Sequence, residues 1–148
     1  MSAYDFLTGD AVPANAFKCF VNQEAVTVKE VSGLKKEFDM LEIKTQSKDG
    51  MYFLRKLPGK QKPVTVTITR PLTDNPLFKD WMKAIENGAP DRRDVVVEVY
   101  GPGETAPKRT YTVKNCQPSA IEVTQVQAGA TNPLDEKITL QGESMDIE

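Results

Sequence analysis

Apolar and polar residues alternate in short segments along most of the chain, which is the pattern of strands in a half-buried sheet. In the clearest segment, residues 64–69, three apolar side chains point to one face and three threonines to the other. Eight segments in all carry strand-like patterns; they lie at 17–21, 25–31, 35–43, 64–69, 94–100, 108–116, 119–127 and 135–147. The sequence therefore predicts about eight strands.

One segment has the period of a helix. Asn75 is a good N-cap, Pro76 suits the first helical position, and Asn87-Gly88 provides a stop. Between them runs a single apolar stripe, made of Leu77, Phe78, Trp81, Met82 and Ile85. We expect this helix to cover one face of a sheet and Trp81 to pack in the core; the alternative is that Trp81 stacks on a ligand.

These elements predict one domain over residues 1–148, mainly β, built as a sandwich or barrel of about eight strands with one covering helix. Residues 1–16 have no sustained periodicity and contain Gly9 and Pro13, so we interpret them as an N-terminal arm.

Residues 51–54, Met-Tyr-Phe-Leu, break the pattern because they stand in an otherwise charged segment, residues 44–62. Burying a large apolar side chain gains roughly 1.5–3 kcal/mol, so leaving all four exposed would be costly. Pro58-Gly59 is expected to turn the segment back toward residues 64–69. The segment fits a core hairpin, a nucleic-acid or membrane contact, or an arm buried by another copy of the chain.

The charges of the chain are unevenly distributed, although their net is only −2. Residues 44–62 carry a local net charge of +5, and residues 133–148 carry −4. Two solvated patches are one interpretation, and docking of one copy's basic loop on another's acidic end is the second. A third is nucleic-acid binding through Lys56, Lys60 and Lys62 with Tyr52 or Phe53 stacking, which the acidic balance of the chain disfavours.

The sequence offers little for catalysis or for metal binding. Histidine is absent, which removes the commonest general base and metal ligand. Cys19 and Cys116 are far apart and are expected to be buried thiols; a disulfide between them is the alternative. Gly101-Pro102-Gly103 suits a hairpin turn rather than a phosphate cradle. We therefore predict no enzyme, no catalytic, cofactor-binding or metal-ligating residues and no cofactor, and no apolar segment approaches the roughly 20 residues of a membrane span.

Several motifs in order resemble the tail tube proteins of contractile-tailed phages and of extracellular contractile injection systems. The most specific are VSGL at 31–34, KLPG at 56–59 leading into the threonine-alternating strand, and the helix with Trp81 before RRD at 92–94. The resemblance covers residues 17–142. The chain departs from the family pattern in two places: Pro71 stands after Arg70 where glycine is common, and Asn115-Cys116-Gln117-Pro118 replaces an Asn–aromatic–Pro segment.

The resemblance implies a fold like that of the type VI secretion tube protein, and hexameric rings stacked into a tube inside a contractile sheath. It implies that residues 44–62 form an inter-subunit loop, with contacts from Met51, Tyr52, Phe53, Leu54, Arg55, Lys56, Leu57, Pro58 and Gly59. The implied partners are further copies of the chain, a sheath protein, a baseplate or spike hub and a terminator cap. Membrane insertion is not expected.

The same resemblance implies assembly in the bacterial cytoplasm as part of a phage tail or tail-like particle. It leaves open release from the cell and whether the lumen carries protein effectors or DNA. Two alternatives remain at this point: a secreted type VI-class ring protein that carries effectors, and a monomeric β-barrel ligand-binding module.

Overall fold

The computed structural model describes residues 16–124, 126–129, 131 and 133–148. These residues form one helix, α1 (Leu77–Glu86), and ten strands: β1 (Phe17–Val21), β2 (Glu24–Val26), β3 (Glu30–Ser32), β4 (Phe38–Gln46), β5 (Tyr52–Gln61), β6 (Val64–Pro71), β7 (Arg93–Tyr100), β8 (Pro107–Val123), β9 (Asp135–Gly142) and β10 (Ser144–Ile147). Residues 1–15, most of the predicted N-terminal arm, lie outside the described residues; the carbonyl of Ala16 accepts a hydrogen bond from the Tyr100 amide.

Eight of the strands form one group, and β8, which is 17 residues long, lies at its centre. The first half of β8 pairs with β7 and β10, and β7 continues through β1 to β2; we name this group the first sheet. The second half of β8 pairs with β9, which continues through β6 to β3; we name this group the second sheet. All of these pairings are antiparallel, so β8 joins two sheets that share one core. The remaining pair, β4 and β5, forms a sheet of its own.

The core lies between the two sheets because each strand turns its apolar residues inward. The prediction for residues 64–69 is confirmed: Val64, Val66 and Ile68 are buried and the threonines face outward. The inward side chains of both sheets form one cluster, which contains Cys19, Val21, Val26, Val95, Val97, Val113, Cys116 and Met145 from the first sheet and Val64, Val66, Ile68, Ile138 and Leu140 from the second. This arrangement leaves the outward faces of the sheets for other roles.

Helix α1 completes the core with Phe78 and Trp81, which are both fully buried. Trp81 thus packs in the core, as expected, and its indole Nε1 donates a hydrogen bond to the Asp91 carbonyl at 2.6 Å. The predicted helix start is wrong by one residue, since the helix begins at Leu77 rather than Pro76. The Asn75 side chain nevertheless accepts a hydrogen bond from the Leu77 amide at 3.1 Å.

The predicted class, a mainly β chain with one helix, is confirmed, but the strand predicted at 35–43 is β4 at Phe38–Gln46, and the predicted boundaries are wrong in three further places. Residues 25–31 are not one strand: β2 belongs to the first sheet and β3 to the second. The strands predicted at 108–116 and 119–127 are a single strand as far as residue 123, because β8 spans Pro107–Val123. Residues 135–147 divide into β9 and β10 at Glu143. In each case the break or the continuity depends on which sheet a strand joins, and local alternation does not carry that information.

Candidate assembly interface

The site singled out by the sequence lies on an isolated hairpin made of β4 and β5, residues 38–61, which we name the arm. Cross-strand pairs run from Phe38 with Gln61 at its base to Gln46 with Tyr52 near its tip. The tip is a tight turn: the Ser47 amide donates to the Met51 carbonyl at 2.8 Å. Gly50 adopts φ +79° there, a backbone conformation that glycine adopts without strain.

The predicted turn at Pro58-Gly59 is wrong. Both residues lie inside β5, opposite a register shift between Phe38 and Met40. A Cβ at Gly59 would stand 3.1 Å from the Asp39 carbonyl oxygen, so glycine fits this irregular pairing. A proline and a glycine accommodate a bulge as well as a turn, and only the partner strand distinguishes the two. Residues 44–62 are therefore strand and turn rather than a loop.

The base of the arm is tied to the body of the chain. The Lys62 amide donates to the Glu37 carbonyl at 2.8 Å, and the Gln61 side chain donates to the Met145 carbonyl at 3.2 Å. The Glu37 carboxylate pairs with Lys35 and, at 3.6 Å, with Lys62. The hydrogen bond and charge of Lys35, and then the charge of Lys62, lower the pKa of Glu37 below its ordinary value. The contacts between Glu37 and Lys62 close the base of the arm, and the bond from Gln61 to Met145 ties that base to β10.

The arm exposes its apolar side chains to solvent on both faces. Nine of the fourteen exposed large apolar side chains of the described residues lie on it; they are Phe38, Met40, Leu41, Ile43, Met51, Tyr52, Phe53, Leu54 and Leu57. The most exposed of these nine side chains are Met51 at 71% and Tyr52 at 72%. Isolated two-stranded hairpins are marginal in water, and contiguous exposed apolar surface marks an interaction site.

The register divides these side chains between two faces. Leu41, Leu57, Ile43 and Phe53 share one face with Arg55, whose guanidinium lies 5.7 Å from the centre of the Phe53 ring. The opposite face mixes apolar and charged groups, namely Met40, Pro58, Glu42, Lys56, Lys44, Leu54, Gln46 and Tyr52. One face is thus suited to apolar packing and the other to contacts that are both apolar and charged.

The predicted contact residues are all on the arm. Met51 closes the turn, and residues 52–59 run along β5. Sequence reasoning missed the residues of β4 that share these faces, among them Leu41 and Ile43. A signal was available, because residues 38–43 place apolar side chains on both sides of one strand. A strand with apolar residues on both sides is normally buried on both sides, and here the described residues cover neither.

A second uncovered feature lies at the edge of the second sheet. Residues 117–123 of β8 pair with β9 alone among the described strands. Ile121 and Val123 are on the core side of this edge, and they are 37% and 46% exposed. Unpaired strand edges with apolar side chains are templates for pairing with another chain.

The described residues contain no candidate metal centre, and both of their thiols are buried. They contain no group of three or more Cys, Asp or Glu side chains placed to hold a metal ion. The two cysteines are free and buried; burial raises the pKa of Cys19 to about 11 and that of Cys116 to about 12, so both are protonated near neutral pH. Within the ranges that the structure covers, the helix is neither long nor apolar enough to cross a bilayer.

The sequence model of the family described as T4-like virus tail tube protein gp19 matches residues 13–146. The chain belongs to this family of tail tube proteins. The resemblance drawn from the sequence motifs is thereby confirmed, and the chain that carries the arm and the open sheet edge is a tail tube subunit, a structural protein. A search of curated proteins found no match.

Solved structures of injection-system tubes share the fold. The chain is similar to a component of the PVC sheath-tube complex of an extracellular contractile injection system in the extended state, with a TM-score of 0.81, 20% identity, and coverage of 100% of this chain and 98% of that one. A chain of the anti-feeding prophage cap gives a TM-score of 0.80 at 20% identity, covering 95% and 92%.

Hcp1 from Flavobacterium johnsoniae has a lower TM-score of 0.55 at 14% identity, covering 89% of this chain and 94% of that one. The predicted type VI tube-like fold is confirmed by this likeness. Because the TM-scores of the injection-system chains are higher, the fold of this tail tube protein lies nearer to theirs.

Proposed function

We propose that the chain builds the inner tube of a contractile injection system as hexameric rings that stack inside a sheath, and that the arm makes the contacts between copies. The observation that carries this proposal is the arm itself, a hairpin with apolar side chains on both faces in a tail tube protein. Its predicted contact residues, Met51 through Gly59, act together with the exposed β4 residues opposite them.

In this scheme the arm stacks one ring on the next, and the free edge of residues 117–123 joins the copies within a ring. The arm reaches a neighbouring copy, where Phe53, Leu41 and Ile43 are removed from water. Within a ring, the free edge of residues 117–123 continues into the sheet of the next copy. Each copy thus covers surface that its neighbour leaves exposed, and the interface is head-to-tail. Such an interface closes into a ring when the rotation from one copy to the next is a whole-number fraction of a full turn.

The further partners follow from the same role. Neighbours in fold occur in a sheath-tube complex, a sheath/tube terminator, a baseplate and a cap, which supports a sheath, a baseplate or spike hub and a terminator as partners of this chain. We infer assembly in the bacterial cytoplasm and a non-enzymatic role. The alternatives, a type VI-class carrier of effectors and a monomeric ligand-binding module, are less favoured; the first has the weaker likeness in fold, and the second leaves the arm unexplained.

Phe53→Asp tests the role of the arm. The substitution places a carboxylate in the apolar face, and we expect a folded monomer that does not assemble into tubes. Leu72→Asp is the matched control, because Leu72 is 46% exposed against 43% for Phe53 and lies outside the arm. Electron microscopy and light scattering measure assembly, and circular dichroism reports folding. Tubes formed as readily by Phe53→Asp as by the native chain would refute the role of the arm, and a native chain that stays monomeric at high concentration would refute the tube itself.

A further inference from the structure

The sulfur-containing side chains of the described residues differ sharply in exposure. Four of them lie in the body of the chain and are buried or half-buried, namely Cys19, Met82, Cys116 and Met145. The other two, Met40 and Met51, lie on the arm and are 55% and 71% exposed. Among the described residues, the arm thus carries all of the sulfur-containing side chains that are largely open to solvent.

The two thiols do not compete with these methionines for an oxidant. A peroxide reacts with the thiolate form of cysteine, and burial raises the pKa of Cys19 to about 11 and that of Cys116 to about 12. Both thiols are therefore protonated near neutral pH, and both lie in the core. A thioether has no proton to lose, so the reactivity of a methionine depends on its exposure. An oxidant that meets the free subunit reaches Met40 and Met51 first.

The two exposed methionines lie at opposite ends of the arm. Met40 is near the base, opposite Pro58, where the register of the two strands shifts. Met51 is at the tip: its carbonyl accepts a hydrogen bond from the Ser47 amide at 2.8 Å, and its amide donates to the Ser47 hydroxyl at 3.3 Å. These bonds use only the backbone of Met51 and leave its side chain in solvent. Under the proposed function, both side chains leave water when another copy covers the arm.

Oxidation changes a methionine from apolar to polar without breaking the chain. Hydrogen peroxide transfers one oxygen atom to the thioether sulfur, which gives up two electrons and gains an S=O bond; the O–O bond breaks and the peroxide leaves as water. The sulfoxide oxygen accepts hydrogen bonds, so burying it without a donor should weaken association by about tenfold per group. The loss recurs in every copy of a tube.

We propose that Met40 and Met51 are modification sites that make assembly depend on oxidation: a peroxide converts them to sulfoxides in the free subunit and prevents its assembly, whereas assembly shields them. This inference rests on the tube function proposed above. Methionine sulfoxide reductases restore the thioether, so the change is reversible. Tubes are then built only from subunits whose arms are reduced.

Peptide mass spectrometry tests which side chains react. Cleavage after lysine and arginine places Met40 in peptide 37–44, Met51 in peptide 49–55 and Met145 in peptide 138–148. After brief treatment of native monomers with hydrogen peroxide, we expect the first two peptides to gain one oxygen atom and the third to be oxidised at least about tenfold less, because exposure sets the rate. In tubes, all three peptides should stay largely unmodified. Met145 oxidised as fast as the arm methionines in monomers, or the arm oxidised as fast in tubes as in monomers, would overturn the inference.

Assembly of the oxidised subunit tests the consequence. Native monomers are treated with hydrogen peroxide, catalase removes the excess, and sedimentation measures the assembled fraction. We expect a loss of about tenfold or more, with recovery after reductases for both sulfoxide epimers. The circular dichroism spectrum should not change, since neither methionine is in the core. Oxidised subunits that assemble as well as untreated ones would overturn the inference alone, whereas an untreated chain that forms no tubes would refute the proposed function.

Substitutions separate oxidation of the arm from oxidation elsewhere. Met40→Leu with Met51→Leu keeps the apolar volume and removes both thioethers, so we expect tubes whose formation resists peroxide. Met40→Gln with Met51→Gln imitates the polar sulfoxides and should not assemble even without peroxide. Leu72→Gln, which changes an exposed apolar residue outside the arm, is the matched control and should assemble. A leucine pair that remains sensitive to peroxide, or a glutamine pair that forms tubes, would contradict the inference. If the leucine pair itself does not assemble, recovery of the native chain by the reductases decides.

Discussion

At the scale of single residues, the most constrained position is a buried ion pair that joins the second sheet to the helix. The Arg70 Nε donates to the Glu136 carboxylate at 2.8 Å, and both residues are almost fully buried. The same guanidinium donates to the Asn75 carbonyl at 2.8 Å and lies 4.5 Å from the centre of the Phe78 ring. The Arg93 guanidinium lies 5.0 Å from the centre of the Trp81 ring. Two arginines thus hold the aromatic residues of α1 in place.

Removing one partner of the buried pair should destabilise the fold strongly. We expect Glu136→Ala to lower the free energy of unfolding by about 3–5 kcal/mol, because Arg70 would be left buried without its counter-charge. The double variant Arg70→Met with Glu136→Leu should lose much less, since no charge is then buried. Urea unfolding followed by tryptophan fluorescence measures both. Equal losses in the single and double variants would show that packing, and not the unpaired charge, sets the cost.

The buried thiols predict how stability depends on alkaline pH. Burial raises the pKa of Cys19 to about 11 and of Cys116 to about 12, from an ordinary value of 9.0. A raised pKa in the folded state means that the folded chain binds more protons than the unfolded chain above pH 9. The stabilisation is therefore complete below that pH and is lost as the pH rises through the folded values. We expect the midpoint of urea unfolding to fall between pH 9 and 11 in the native chain, and to fall less in the Cys19→Ala, Cys116→Ala variant.

At the scale of elements, the arm differs from every other strand pair among the described residues, because nothing packs on either of its faces. Its hydrogen bonds join β4 only to β5, and its base is held by Glu37, Gln61 and Lys62. The remaining strands share a core, so their amides are protected by burial as well as by pairing. An element of this kind opens locally at low cost in the free chain.

Hydrogen exchange should distinguish the arm from the body. In the monomer we expect the amides of β4 and β5 to exchange far faster than those of β6, since β6 is paired on both sides and buried on one face. In assembled tubes the arm should become protected while β6 changes little. Mass spectrometry of peptides from both states gives the comparison. Strong protection of the arm in the monomer would mean that the free chain already covers it.

At the scale of the whole molecule, the contacts of the acidic residues in 133–148 distinguish between the interpretations that the charge distribution allowed. Four of the five acidic residues in 133–148 contact partners in their own chain: Asp135 with Lys29, Glu136 with Arg70, Glu143 with Asn115 and Asp146 with Lys114. Their carboxylates therefore already make ion pairs or hydrogen bonds within one copy. This weakens the interpretation that a basic arm docks on an acidic end, and it leaves apolar burial as the main contribution to assembly.

Salt separates these two contributions. If apolar burial drives assembly, tubes should persist at about 1 M sodium chloride, where the screening length is only about 3 Å. Sedimentation of tubes at low and high salt measures the assembled fraction. Tubes that dissolve as the salt is raised would restore electrostatic docking as the main force.

The sequence predicted the individual elements well where their pattern was local. The alternation at 64–69 and the apolar stripe of the helix each follow from which side chains one face can bury. The apolar quartet at 51–54 was also predicted to need a partner, and the described residues leave it exposed. The turn at Pro58-Gly59 was wrong because the same two residues suit a bulge, and the choice depends on Asp39 and Met40 across the pair.

What the sequence by itself determined is which residues must leave water, since the alternation of apolar and polar side chains sets that locally. Only the tertiary structure decided which of them are covered within one copy. The pairing of β8 with both sheets closes the core around Val66 and Leu140, yet it leaves Ile121 at an open edge and the arm outside the core. The physical reason is that burial depends on contacts between distant segments, and under the proposed function some of those segments belong to another copy.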